Sequence, residues 1–187
     1  DTLLQCQQLT PVAILDTHGH GDHVSGRIAL AQKYLGSQAT NELGWPIDAP
    51  ELQIGHDTFN ALTLGKLTLV KVATPGHTDD SMSLLLTSNT NDLIKSTRYA
   101  FCGDTILMGS LGRTNFSSSS SIGMYHSLKQ INRLIGQQTL LCASHDYNNE
   151  FTTSLSAEII RNPLLQAVLS GTINESQFSE KKTDLDS

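Results

Sequence analysis

Four times along this chain a short apolar run gives way to a glycine or another small residue and then to a histidine or an aspartate. Val12–Leu15 leads to His18, Leu62–Thr74 to Pro75-Gly76-His77, Tyr99–Cys102 to Gly103-Asp104, and Thr139–Cys142 to Ser144-His145. Short, partly β-branched apolar runs bounded by such residues read as buried strands. Neighbouring strands end at one edge of a sheet, so the recurrence predicts that His18, His77, Asp104 and His145 gather around one point.

Between these runs the pattern changes period. Leu3–Leu9 reads as the end of a helix, and Val24, Ile28, Ala31 and Leu35 recur at helical spacing up to a capping Gly36. Leu62 to Thr74 alternates as a hairpin turning at Gly65-Lys66, Ser81–Thr87 reads as a strand, and Ser88–Thr97 reads as a polar connection. The serines of Ser117–Ser121 read as a loop that caps a helix carrying Tyr125, Leu128, Ile131 and Ile135 on one face. Leu155–Arg161 reads as a helix stopped by Asn162-Pro163. The polar tail after Gly171 is expected to fray. At 187 residues this predicts one domain over 1–170 and a tail over 171–187.

Composition removes several classes of function. Twelve basic residues against 18 acidic ones give a net charge of −6, which is not the footprint of a nucleic-acid or anionic-membrane binder. No apolar run approaches the ~20 residues that span a bilayer. The three cysteines, Cys6, Cys102 and Cys142, form no C-x-x-C pair, which excludes a thiolate zinc knot and favours a reducing compartment. Cys102 and Cys142 are expected to pack as small hydrophobes.

The histidines carry the chemistry. His18, His20, Asp22 and His23 fall within the segment 18–23, spaced by glycines that let the backbone wrap closely. Alternate side chains of an extended loop face the same way, so His18 and His20 can address one point and Asp22 and His23 a neighbouring one. Imidazole nitrogen and carboxylate oxygen are ligands that zinc, iron and manganese accept. His56 and His126 lack that context and read as ordinary residues.

Thr17-His18-Gly19-His20-Gly21-Asp22-His23 resembles the signature of the metallo-β-lactamase superfamily. Thr74-Pro75-Gly76-His77-Thr78, Phe101-Cys102-Gly103-Asp104 and Ser144-His145-Asp146-Tyr147 resemble its later ligand loops, in the same order. The resemblance runs from about Val12 to about Leu165 and implies an α/β fold, the αββα sandwich, with a metal at one sheet edge. Family members begin with strands and a helix ahead of the histidine loop. The expectation for this chain is therefore a sandwich lacking its N-terminal strands. Gly112-Arg113-Thr114-Asn115-Phe116 and the run from His145-Asp146-Tyr147 to Asn162-Pro163-Leu164-Leu165 resemble persulfide dioxygenases of the glyoxalase II-like branch, with Asn115 in place of the usual Asp.

That resemblance implies one Fe(II) per chain on His18, His77 and Asp104. Glutathione persulfide and O₂ would be converted to sulfite and glutathione. His20, Asp22, His23 and His145 would surround the iron, holding water and orienting ligands, or would serve a second metal. Arg113 is implied as a fork for a glutathione carboxylate, and Tyr147 and Thr78 as further substrate contacts. The alternatives are a glyoxalase II-like thioesterase with Zn(II) or a two-metal site, and a truncated chain without catalysis. An intracellular location, mitochondrial matrix or cytoplasm, is expected. No nucleic acid or membrane partner is expected, and a homodimer remains open.

Overall fold

The computed structural model describes residues 2–19, 24–36, 39–147 and 149–187. Its centre is a seven-stranded sheet in sequential order: β1 (Glu51–Ile54), β2 (Asp57–Leu64), β3 (Leu67–Ala73), β4 (Met82–Thr87), β5 (Thr97–Gly103), β6 (Leu140–Ala143) and β7 (Thr153–Ser154). Every pair is antiparallel except β5–β6, which is parallel. A parallel pair needs a crossover, and α4 (Ser121–Leu134) lies within that connection. The hairpin turn falls at Gly65-Lys66 as the alternation predicts, with β2 beginning five residues earlier than expected, at Asp57.

Adjacent residues of a strand face opposite sides, and this chain buries both. Val70, Val72, Leu85, Ala100 and Leu141 join Met124, Leu128 and Ile131 of α4 in the larger cluster. Leu69 and Leu84, from the other side, meet Leu43, Trp45 and Met82 in a smaller one. The larger cluster is completed by α5 (Leu155–Arg161), α6 (Pro163–Leu169) and α7 (Glu175–Asp186). The fold is thus α/β, with α4–α7 contributing the helical layer of that cluster. The serine run does cap α4: Ser120 Oγ accepts from Gly123 N at 3.0 Å.

Several expectations are corrected. Val12–Leu15 is not a strand: Val12 is exposed and the run meets no ladder among the described residues, while its neighbour Asp16 donates from its backbone to Leu43 O at 2.9 Å. The first helix, α1 (Thr2–Cys6), stops before Leu9, where Gln8 takes a positive φ. The predicted helix after the histidine loop exists as α2 (Arg27–Tyr34), but it buries none of its residues. The connection after β4 contains a short helix, α3 (Leu93–Ser96), capped by Asp92. Asn162-Pro163 stops α5 and also starts α6, since Asn162 Oδ1 accepts from Leu164 N and Leu165 N at 3.1 and 3.0 Å.

The largest correction is the tail. Residues 175–186 are not frayed but form α7, opened by a reciprocal cap between Asn174 and Gln177. Its buried face is Phe178, Lys182 and Asp186, spaced by one helical turn. Two of those three residues are charged, so an apolar period does not reveal the face. No helix among the described residues is long and apolar enough to cross a membrane.

Candidate metal centre

Three loops, each leaving a strand or strand-like run, supply three buried side chains. His18, His77 and Asp104 are 8%, 3% and 5% exposed. One ligand atom from each lies within 4.8 Å of the others.

Each is held by its own scaffold. Beside His18, the Gly19 N–H donates to both carboxylate oxygens of Asp80, at 3.2 and 3.0 Å. The Thr17 hydroxyl lies 2.9 Å from His18 Nδ1. His77 leaves β3 through a loop fastened to the middle of α4, where the Ser127 hydroxyl donates to Pro75 O at 2.7 Å. Its Nδ1 lies 2.8 Å from the Arg113 carbonyl. A carbonyl only accepts, so Nδ1 carries the proton and Nε2 is turned to the centre. Asp104, after β5, accepts the Ser144 hydroxyl on Oδ1. Its Oδ2 faces His77 Nε2 at 3.3 Å and His145 Nε2 at 3.7 Å.

A buried imidazole nitrogen facing a carboxylate oxygen requires a positive charge between them, either a proton or a metal ion. Two imidazoles and one carboxylate are a donor set that accepts Fe(II) or Zn(II). With Nδ1 of His77 already engaged, Nε2 is the atom that would coordinate, and the residues fit a metal.

A cavity of about 1030 Å³ opens beside His77 and Asp104. Leu107, Leu111, Phe116 and Leu164 line it, as do Arg113, His145 and Tyr147. The Arg113 guanidinium sits over the Phe116 ring at 5.8 Å and donates from Nη2 to Asp186 O at 3.1 Å. His145 and Tyr147 stack in parallel, centroids 5.6 Å apart. Thr78 is not among the residues that line this cavity. Its hydroxyl lies 2.6 Å from both Asp80 Oδ1 and Ser81 Oγ, so it ties the loop together. His20, Asp22 and His23 lie outside the described residues.

Sequence reasoning missed Ser144, Asp80, Lys182 and Asp186. Ser144 adjoins a predicted ligand and was findable. Asp186 has no sequence signal, yet its carboxylate accepts from Thr114 N at 2.6 Å and Thr114 Oγ1 at 3.0 Å and pairs with Lys182. Burial pushes the Asp186 carboxyl up, but Lys182 and Thr114 outweigh it and hold it below the ordinary value. Burial pulls Lys182 down, against the pull of Asp186. The Cys102 thiol is pushed up to about 12 by burial, which makes it a packing residue.

No protein-family model matches the chain. Solved structures do resemble it. ETHE1 from Myxococcus xanthus matches with a TM-score of 0.74 and 27% identity, over 100% of this chain and 74% of that one. A metallo-β-lactamase from Staphylococcus aureus matches with a TM-score of 0.70 and 25% identity, over 96% of this chain and 55% of that one. This chain thus spans about half the length of the Staphylococcus protein. The BLEG-1 B3 metallo-β-lactamase shares the fold, with a TM-score of 0.61 and 24% identity, over 88% of this chain and 81% of that one.

Proposed function

The chain belongs to the metallo-β-lactamase superfamily, and we propose that within it the protein is a persulfide dioxygenase acting on glutathione persulfide. The observation that carries this reading is the convergence of two histidines and one carboxylate at the end of a cavity that also holds Arg113. The likeness to ETHE1 from Myxococcus xanthus and the resemblance of Gly112–Phe116 to persulfide dioxygenases support it. His18, His77 through Nε2, and Asp104 would hold one ferrous ion. A ferrous ion on a two-histidine, one-carboxylate face supplies redox chemistry with positions open for substrate.

The remaining work belongs to the chain. Arg113 presents a permanently charged planar donor to a glutathione carboxylate. Its carbonyl keeps the His77 proton on Nδ1. Ser144 occupies Asp104 Oδ1 and so directs Oδ2 to the centre. Leu107, Leu111 and Leu164 give the cavity an apolar wall against which the persulfide end of the substrate would pack. Glutathione persulfide, O₂ and one water would together give glutathione, sulfite and two protons.

A thioesterase with two metals is the second reading. It is favoured by the approach of His145 to the same Asp104 oxygen at 3.7 Å, where a bridging carboxylate would serve a second ion. Metal analysis of protein purified without added metal separates the two, paired with oxygen-electrode and thioester assays. About one iron per chain, with O₂ uptake on glutathione persulfide and release of sulfite, is expected. Two metals per chain with hydrolysis of glutathione thioesters and no O₂ uptake would overturn the proposal.

A further inference from the structure

The His77 imidazole is oriented by a peptide group that is itself oriented by the last turn of α7. The carbonyl of the Arg113–Thr114 peptide accepts the His77 Nδ1 proton at 2.8 Å. The N–H of that same peptide donates to Asp186 Oδ2 at 2.6 Å. A peptide group is planar and rigid, so fixing its N–H fixes the direction of its carbonyl. The hydrogen bonds also act in series: a carboxylate on the N–H polarises the peptide and strengthens its carbonyl as an acceptor.

We propose that Asp186 is a positioning residue for the metal centre, acting through the Arg113–Thr114 peptide on His77. Three more contacts make the clamp specific. The Thr114 hydroxyl donates to the same Asp186 oxygen at 3.0 Å, and the Asp186 carbonyl accepts from Arg113 Nη2 and Asn115 Nδ2 at 3.1 and 2.9 Å. One residue thereby holds three successive residues of the loop. Lys182, 2% exposed and one turn earlier on α7, engages the other carboxylate oxygen and keeps the charge in place. The arrangement extends the usual carboxylate–histidine–metal relay by one peptide unit. It also explains why two charged residues occupy the buried face of α7. The inference rests on His77 as a metal ligand and is independent of which substrate the cavity takes.

The test is cobalt(II) affinity, measured by chelator competition on the full chain at a temperature where circular dichroism shows it folded. Lys182→Met/Asp186→Leu removes both charges and the acceptor for the Thr114 N–H while keeping side chains of similar size. Its cobalt Kd should rise about tenfold, the lower end of the 10–100-fold range found when a direct partner of a ligating histidine is lost. Phe178→Leu weakens the same helix without touching the clamp, and its Kd should stay within about twofold of the unaltered protein's. An unchanged Kd in the double variant, or equal rises in both variants, would reduce Asp186 to a packing role and overturn the proposal. Failure of the unaltered protein to bind cobalt would overturn the metal centre along with it.

Discussion

At Gly103 the backbone takes φ +54°, and a Cβ there would lie 2.6 Å from Thr17 Oγ1 and 3.2 Å from His18 Nδ1. The residue before Asp104 is therefore also the surface against which His18 is seated. Alanine at 103 meets two costs: about 1–2 kcal/mol for a left-handed backbone and the displacement of His18. Gly65, at φ +65° in the β2–β3 turn, has nothing within 4 Å of where a Cβ would stand and isolates the first cost. Gly65→Ala should lose about 1 kcal/mol in denaturant unfolding and retain its metal. Gly103→Ala should lose more and also drop its metal content by at least half. Equal metal content in the two variants would show that His18 does not depend on this approach.

Among the elements, α7 departs furthest from expectation. It looks like a polar tail because its exposed positions are polar apart from Leu185, and only Phe178 marks its buried face as apolar. Phe178 is fully buried, and its ring lies 5.8 Å from that of Tyr125 on α4. Truncating a buried phenylalanine costs about 3–5 kcal/mol, a large part of a typical domain's roughly 5–15 kcal/mol. Phe178→Ala should thus lower the urea midpoint markedly, with the slope of the transition unchanged. A shift of less than about 1 kcal/mol would mean that α7 docks only loosely on α4. α2 is the converse case, a sequence with apolar residues at helical spacing that folds as a helix but leaves its Ile28 and Leu30 exposed. Helical period specifies which residues share a face, not whether a neighbour covers it.

For the whole molecule, the centre ties together positions 18, 77 and 104, which approach only in the folded chain. A metal bound there recognises the native state and not the unfolded one, so it must stabilise the fold. At about 100 times its Kd a ligand adds about 2.7 kcal/mol. In a domain of this size that raises Tm by about 5–11 °C. Ferrous iron added without oxygen should produce that rise, and His77→Ala should abolish it. An unmoved Tm would show that the three side chains do not act as one site.

By itself the sequence determined the strands β3 to β6, the helices α4 and α5, and the order of the ligand loops. These rest on local causes: alternation, helical period, capping serines, proline, and glycine followed by histidine or aspartate. His18, His77 and Asp104 could be picked out because each sits directly after such a signal. Only the tertiary structure decided that Val12–Leu15 finds no strand partner among the described residues, that Thr78 turns to its own loop, and that α7 packs. It alone decided that Asp186 grips Thr114, since a contact across 72 positions leaves no trace in local pattern. A ladder needs a neighbour, and a buried charge is tolerated only where its partner lies. Both are properties of the folded surroundings and not of the residue.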